Sequence, residues 1–243
     1  MKRMKNSILI AVILSLSVGV TAQDFGQNYG IRQFTNDLYQ LDEYIKRQNQ
    51  GIDFDDTASY TGSPYNHPSY LMGNVYKNDS LWANNVALRY NAMADEMEIK
   101  ESLTTADAEA KVLTKSPDVY VKIVNDIYIF APYKGGIEGG GYFQVLFEGD
   151  KIGLFKKPKK KFTKAKKAST SITRDLPASF KDKPVYYIVD KDGKYYELPS
   201  SRSKKLKVFG NNKDAIKKYV GEKGLDLNKE RDLIRVIKHY DTF

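Results

Sequence analysis

Residues 120–130 read Tyr-Val-Lys-Ile-Val-Asn-Asp-Ile-Tyr-Ile-Phe, so two runs of β-branched and aromatic residues enclose a polar pair. Such runs favour strands, because their side chains pack well on a pleated surface. Asn125 and Asp126 are residue types that tolerate a positive φ, which a two-residue hairpin connection requires. The stretch therefore predicts a β-hairpin with its turn at Asn125-Asp126.

Strand patterns continue on both sides of this hairpin. Residues 86–90 and 96–100 alternate apolar with polar or small side chains, and a turn at residues 92–95 joins them. An alternation with period two is typical of a strand with one buried face. Further strand-like runs enclose short polar turns at residues 148–150 and 190–193. The middle of the chain is therefore expected to form an antiparallel sheet of hairpins, either curled or sandwiched on itself.

Helical patterns occur near both ends of the chain. An amphipathic helix is predicted over residues 34–45, where apolar side chains recur every three or four residues. Near the carboxyl end, three short helices are predicted at residues 201–209, 212–222 and 228–240, with Asn212 and Asn228 as N-caps. The expected fold class is α+β: an antiparallel β-rich middle with an N-terminal helix and a small C-terminal helical end.

The first 22 residues have the three parts of a secretory signal peptide. Three basic residues lie within the first five, residues 8–20 are small or apolar, and Val20-Thr-Ala22 provides small residues at the cleavage site. We expect cleavage before Gln23 and export to the periplasm or to the periphery of the outer membrane. No later segment is apolar enough to span a bilayer, so no transmembrane segment is expected in the mature chain.

The chain of 243 residues contains no cysteine. An exported protein without disulfides must rely on core packing for its stability. The same absence excludes thiol catalysis, cysteine-ligated metals and a lipid anchor attached to cysteine. Beyond the signal peptide at residues 1–22, we divide the chain into a helix, loop and β-rich domain at residues 23–167 and a hairpin with three helices at residues 168–243.

Charge is distributed unevenly along the chain. Residues 24–110 hold 14 acidic and 6 basic residues, whereas residues 111–243 hold 16 acidic and 30 basic residues. Nucleic acid is the usual partner of such a basic half, but export argues against it. The basic half is therefore expected to face another anionic partner or the acidic half of the same chain.

A block of lysines without any acid occupies residues 156–167. Because like charges repel, we expect the block to be an exposed linker or the continuation of a long hairpin with one solvated face. A basic surface gains binding energy near anionic headgroups or the phosphates of lipopolysaccharide, and an acidic patch of an envelope protein would attract it too. The candidate residues for this binding are Lys156, Lys157, Lys159, Lys160, Lys161, Lys164, Lys166 and Lys167.

Tyrosine is abundant, with 18 residues in the chain. Tyr60, Tyr65 and Tyr70 flank or lie in a polar loop, and a tyrosine ring offers apolar area together with a hydroxyl group. We therefore treat these three as candidate contacts to a ligand or partner. Tyrosine also favours strands, so packing within a sheet is the alternative.

Short motifs around glycine, tyrosine and asparagine recur through the expected mature chain: Gly62-Ser-Pro-Tyr65, Gly73-Asn-Val-Tyr76, Leu88-Arg-Tyr-Asn91, Asp95-Glu-Met-Glu98 and Gly141-Tyr-Phe-Gln-Val-Leu146. Together with the carboxyl end from Glu230 to Tyr240, they resemble an uncharacterised family of exported Bacteroidota proteins. The resemblance implies an envelope location and a β-rich fold, and it implies no reaction.

Patterns for histidine or metal chemistry are weak. The two histidines, His67 and His239, lie far apart in the sequence and have no partner motif. Three aspartates cluster at residues 53–56, but they lack the glycine and the closing glutamate of a calcium loop. The glycine-rich residues 135–141 lack the lysine and hydroxyl residue of a phosphate loop. We expect no metal and no cofactor.

Glu96 and Glu98 share one face of a predicted strand, about 7 Å apart by strand geometry. A catalytic pair of carboxylates and a solvated strand face both fit this spacing, and the solvated face is the simpler interpretation. We therefore assign no catalytic residue and expect a non-enzymatic envelope protein, an accessory or binding subunit. The alternative is a hydrolase of cell-wall glycan or peptide, in which two acids should converge in a cleft.

Overall fold

The structure is a computed structural model that describes residues 60–132, 140–170, 172 and 174–243. The expected signal segment, the helix predicted at residues 34–45 and the aspartates at residues 53–56 lie outside the described residues. The described part contains thirteen strands and three α-helices: β1 Tyr60–Thr61, β2 Leu71–Lys77, β3 Ser80–Asn91, β4 Glu96–Lys100, β5 Lys111–Val112, β6 Val119–Ile123, β7 Asp126–Ala131, β8 Gly141–Glu148, β9 Ile152–Lys157, β10 Lys160–Thr163, β11 Ala178–Asp182, β12 Val185–Asp190, β13 Tyr195–Glu197, α1 Arg202–Lys207, α2 Lys213–Glu222 and α3 Glu230–Asp241.

Ten of the described strands form one antiparallel sheet, the large sheet, in the order β13-β12-β9-β8-β7-β6-β2-β3-β4-β5. Most neighbours in this sheet are also neighbours in sequence, as short hairpin connections require. The predicted antiparallel, β-rich fold with helices at the carboxyl end is confirmed. The hairpin of β12 and β13 joins the sheet through β9, so the sheet continues past the domain boundary expected at residue 167.

The large sheet curves strongly toward one face. The ring of Tyr90 on β3 lies 5.5 Å from the ring of Tyr128 on β7 and 6.0 Å from that of Tyr142 on β8. Strands three places apart in a flat sheet would be about 14 Å apart. Alternate apolar residues of β2, β3, β4, β6 and β7 fill the concave side: Val75, Val86, Leu88, Ile99, Val121, Ile123 and Tyr128 are all buried.

The hairpin at residues 119–131 forms as predicted, but its turn is displaced by one residue. β6 ends at Ile123 and β7 begins at Asp126, so Val124 and Asn125 form the connection. Val124 has a φ of 54° and is 60% exposed. The predicted turn at Asn125-Asp126 is wrong, because the pairing of Ile123 with Asp126 places Val121 of β6 opposite Tyr128 of β7 and keeps both on the concave face.

The three described helices pack on β8 and β9 and on the adjoining part of β12. Their core contains Leu154 and Ile188 from the sheet and Phe209, Ile216 and Leu233 from the carboxyl-terminal segment, all buried. The predicted N-cap role of Asn228 is wrong, since Lys229 precedes α3 and the Asn228 Oδ1 accepts a hydrogen bond from Lys205 Nζ at 3.0 Å. Asn212 does precede α2, but its side chain makes no capping hydrogen bond.

A small sheet lies beside the large one and consists of β1, β11 and β10 in that order. β10 and β11 are antiparallel, and β1 runs parallel to β11. Of the two interpretations of the lysine block, the structure therefore shows the long hairpin rather than the linker. Within the described part of the chain, no helix is long and apolar enough to cross a membrane.

Candidate functional site: the lysine arm

Residues 159–170, 172 and 174–183 form a hairpin that we call the lysine arm. Its base is the ladder between β10 and β11, in which Phe162 lies opposite Phe180. Farther out, Lys166 and Leu176 exchange two backbone hydrogen bonds of 2.8 Å and continue the pairing. The sequence of the arm holds nine basic and two acidic residues, so it carries a net charge of +7.

One face of the arm is covered by lysines that oppose each other. Lys161 on β10 pairs with Lys181 on β11, and the backbone N–H of Lys183 donates to the carbonyl of Lys159 at 2.8 Å. Residues two apart in a strand share a face, so these four side chains project from the same side of the ladder. All four are exposed. We call Lys159, Lys161, Lys181 and Lys183 the lysine face.

The other face of the arm is apolar and packed. The ring of Phe180 lies 4.8 Å from that of Phe162 and 5.0 Å from that of Tyr60, the latter in an edge-on contact. Lys160 shares this face and forms an ion pair with Asp182, at 2.6 Å between Nζ and Oδ1. The aromatic contacts hold the ladder together and leave the lysine face turned away from this packing.

Neither acid of the arm neutralises the lysine face. Asp182 pairs with Lys160 on the opposite side of the ladder. The carboxylate of Asp175 accepts a hydrogen bond of 2.7 Å from the backbone N–H of Ala168 and thereby closes the tip of the arm. Both acids of the arm are thus engaged away from the lysine face.

The structure separates the eight lysines of the block into two groups. Lys159, Lys161, Lys164, Lys166 and Lys167 are exposed on the arm. The other three form ion pairs with acids: Lys160 with Asp182, Lys156 with Glu230 at 2.9 Å and Lys157 with Asp95 at 2.7 Å.

Lys157 belongs to the interior, although the block suggested a uniform basic surface. Its side chain is 9% exposed, and burial lowers the pKa of Lys157 while the charge of Asp95 acts in the opposite direction. Asp95 also accepts hydrogen bonds from the Tyr90 hydroxyl and from the backbone N–H of Tyr142, at 2.5 and 3.1 Å. A side chain at Gly141, whose φ is 148°, would collide with this ion pair.

Tyr65 and Tyr70 are buried, and their rings enclose the guanidinium group of Arg89. The Arg89 Cζ lies 3.7 Å from the ring centre of Tyr65 and 4.0 Å from that of Tyr70. Arg89 also bonds Glu98 through Nε and Nη2, at 3.1 and 2.8 Å, and the Tyr70 hydroxyl donates to the same carboxylate. The two tyrosines thus pack on the Arg89 guanidinium group and shield it from water.

The expectation of a solvated face at Glu96 and Glu98 is wrong. Glu96 is 3% exposed and Glu98 is fully buried. Residues 101–110 cover the outer face of β3 and β4, and Lys100 bonds Asp107 and the carbonyl oxygen of Thr105 there, at 2.7 and 2.6 Å. Period-two alternation could not reveal this cover, because it comes from a segment without strand periodicity.

A shallow pocket of about 330 Å³ opens between the β8–β9 and β12–β13 turns. Its lining includes the rings of Phe155 and Tyr195 and the acids Glu148 and Asp190. The Asp190 carboxylate is used by its own turn, where it accepts hydrogen bonds from the backbone N–H groups of Asp192 and Lys194 and from the Tyr196 hydroxyl. The bond from Lys194 does most to lower the pKa of Asp190. A glycosidase acid requires a raised pKa instead.

The two histidines have separate surroundings. His67 Nε2 lies 3.5 Å from Asp126 Oδ2, and His239 stacks on Tyr219 with 3.9 Å between ring centres. The described residues contain no group of three or more histidines or acids placed to hold a metal ion.

Comparison with models of protein families, with curated proteins and with solved structures finds no match to this chain. Function is therefore inferred from the arm itself.

The sequence analysis identified the lysines of β10 as candidates but missed Lys181 and Lys183, which complete the lysine face. The mirrored patterns Lys-Lys-Lys-Phe162 and Phe180-Lys-Asp-Lys were a signal for this pairing, since antiparallel strands bring such mirrored residues into register.

Proposed function

We propose that this protein is a non-enzymatic protein of the cell envelope that binds an anionic surface through the lysine face. One observation carries the proposal: Lys161 lies opposite Lys181, and Lys159 opposite Lys183, with all four side chains exposed. Like charges directly opposite each other in a sheet destabilise it. An anionic surface would relieve this repulsion, so the cost in stability is offset when the protein is bound.

Export and the envelope location rest on the signal-like pattern of residues 1–22 and on the resemblance to exported proteins. The phosphates of lipopolysaccharide, lipid headgroups and an acidic patch on an envelope protein all carry the charge that the lysine face attracts. We favour a phosphate-bearing surface, because the lysines form an open face on a ladder rather than a pocket shaped for one side chain.

The contacts of the acids favour binding over the alternative of a hydrolase that uses aspartate or glutamate. Glu98 is held by Arg89, Asp95 by Lys157 and Asp190 by the amides of its turn. The carboxylates of Glu98 and Asp95 are thus occupied by ion pairs within the fold, and the hydrogen bonds of its turn lower the pKa of Asp190, which makes Asp190 a poor proton donor. A glycan hydrolase would need one acid that keeps its proton near neutral pH.

The test measures sedimentation of residues 23–243 with lipopolysaccharide and with anionic vesicles. One variant changes Lys159, Lys161, Lys181 and Lys183 to Gln, and a matched control changes four exposed lysines of the helical end, Lys204, Lys213, Lys217 and Lys223, to Gln. At about 1 kcal/mol per lysine, the first variant should bind about a thousandfold more weakly, and added salt should weaken the wild type. Equal losses in the two variants would show that binding follows net charge and would contradict the proposal.

A further inference from the structure

The tip of the lysine arm carries exposed aliphatic side chains. Beyond the pairing of Lys166 with Leu176, the chain turns through a loop that includes Ile172. Ile172 is 93% exposed and Leu176 is 60% exposed, which makes Ile172 the most exposed large apolar residue in the part of the chain that the structure describes. Single exposed apolar residues are common on proteins, so exposure alone does not indicate a partner.

The surroundings of these two residues distinguish them from scattered apolar residues. Exposed basic residues flank Ile172 in the sequence: Lys166 and Lys167 precede it, and Arg174 follows it. The acid of the tip, Asp175, is engaged by the backbone N–H of Ala168. Among the described residues, the tip therefore combines exposed aliphatic side chains with exposed cations at and beyond the pairing of Lys166 with Leu176.

We infer that the tip of the lysine arm inserts into the interfacial region of an anionic lipid bilayer; this rests on the proposed function and names its partner. Ile172 and Leu176 would enter the boundary between headgroups and acyl chains, where their burial is favourable. The neighbouring lysines and Arg174 have long aliphatic stems that let their charged ends stay among the phosphates. The lysine face lies farther back along the arm and adds attraction to the charged surface.

A bilayer fits the tip better than a protein partner does. Protein interfaces place their binding energy in buried aromatic or arginine anchors within closed pockets. The aromatic residues of the arm, Phe162 and Phe180, are instead packed at its base. A bilayer surface has an apolar layer directly beneath anionic phosphates. The aliphatic side chains of the tip match the apolar layer, and the neighbouring cations match the phosphates.

The absence of native cysteine allows a direct test. Ile172→Cys would carry the only thiol, which is labelled with an environment-sensitive fluorophore. Val124→Cys provides a matched control, because Val124 is also an exposed apolar residue in a turn. The turn lies at one end of the strands of the large sheet, and β9 leads into the arm at the other end. We expect a blue shift at position 172 with vesicles that contain phosphatidylglycerol, none with phosphatidylcholine alone, and none at position 124 with either.

Unlabelled variants separate insertion from charge attraction. Ile172→Ser and Leu176→Ser remove apolar area without changing charge, and each should weaken binding to anionic vesicles about tenfold. Both should leave binding to inorganic polyphosphate, a soluble polyanion, unchanged. Two results would contradict insertion of the tip and leave the proposed function standing. One is vesicle binding without a blue shift of the fluorophore at position 172, and the other is binding to polyphosphate but not to vesicles. Failure to bind either polyanion would overturn both.

Discussion

Lys161 of β10 and Lys181 of β11 lie directly opposite each other on an antiparallel ladder, and both side chains are exposed. Opposite charges at such a position stabilise a sheet, whereas like charges destabilise it. At this pair, the stability of the ladder and the proposed binding to an anionic surface therefore have opposite charge requirements. A substitution that improves the ladder should impair the surface that we propose for binding.

Lys181→Glu should raise the stability of the protein and weaken its binding to anionic surfaces. The new carboxylate would face Lys161, replacing repulsion with attraction worth about 0.5–1 kcal/mol in the free energy of unfolding. Thermal unfolding at low salt and sedimentation with anionic vesicles measure the two effects. Lys181→Gln, which removes repulsion without adding attraction, should be intermediate in both measurements. A drop in the unfolding temperature of Lys181→Glu would argue that the ladder does not place these side chains together.

Glu98→Gln should be strongly destabilising. The substitution removes the charge that pairs with Arg89, whose side chain is 9% exposed, and leaves a cation between Tyr65 and Tyr70. Breaking a buried ion pair in this way costs about 3–5 kcal/mol in the free energy of unfolding. Urea unfolding measures the loss.

The double variant Arg89→Leu with Glu98→Leu tests the cause of that loss. It should recover much of the stability, because it removes both buried charges together. Asp107→Asn is the control at an exposed acid of the same cluster, with 62% of its side chain exposed, and it should lose less than Glu98→Gln. A double variant as unstable as Glu98→Gln would mean that packing, and not the unpaired charge, causes the loss.

Val124→Gly should stabilise the β6–β7 turn. A β-branched residue at a φ of 54° is sterically strained, and its exposed side chain makes little packing contribution. Relief of about 1 kcal/mol would raise the Tm by about 2–4 °C. Differential scanning calorimetry would measure it. Asn78→Gly is a useful comparison, because Asn78 has a φ of 48° but belongs to a residue type that tolerates it. Equal shifts in both variants would rule out strain at Val124 as the cause.

Asp241 should make stability depend on pH in acid. Burial acts to raise the pKa of Asp241, but hydrogen bonds from the backbone N–H groups of Lys151, Ile152 and Asp150 outweigh it and hold the pKa below the ordinary aspartate value. Because the folded pKa is the lower one, the stabilisation is present above the unfolded value of about 3.9 and is lost as pH falls through the folded pKa.

Asp241→Asn should therefore lower the free energy of unfolding at pH 7, and the difference from wild type should shrink as the pH falls below about 4. Urea unfolding across this range measures the difference. Asp118→Asn is the control at an exposed acid in the turn before β6, and it should lower the free energy of unfolding at pH 7 by less. A difference for Asp241→Asn that is constant with pH would indicate a loss of hydrogen-bond geometry rather than of charge.

Local patterns were sufficient for the hairpins and helices. The runs that became β6 and β7, β8 and β9, and β12 and β13 were all recognised from strand propensity and short polar turns. The turn at Val124 was misplaced by one residue, because the register that buries the apolar faces outweighed the turn preference of Asn125 and Asp126.

Long-range contacts decided the environment of every candidate site residue. Lys157 and Lys159 are two positions apart in one basic block, yet the first is buried against Asp95 and the second is exposed. Likewise, the alternation of residues 96–100 does not indicate that Tyr70, 28 positions earlier in the chain, will cover Glu98 and bond its carboxylate. Burial depends on which distant segment packs over a side chain, and periodicity along one strand carries no information about that segment.

By itself, the sequence determined the β-rich architecture, the helical end and the presence of a basic block, because strand alternation, turn chemistry and charge are properties of neighbouring residues. Only the tertiary structure decided which lysines face solvent and which acids are held by cations. It also brought Lys181 and Lys183 beside Lys161 and Lys159. The physical reason is that a ladder joins residues about twenty positions apart through backbone hydrogen bonds, which form whatever the side chains are, so that charge and strand propensity along one segment do not name its partner.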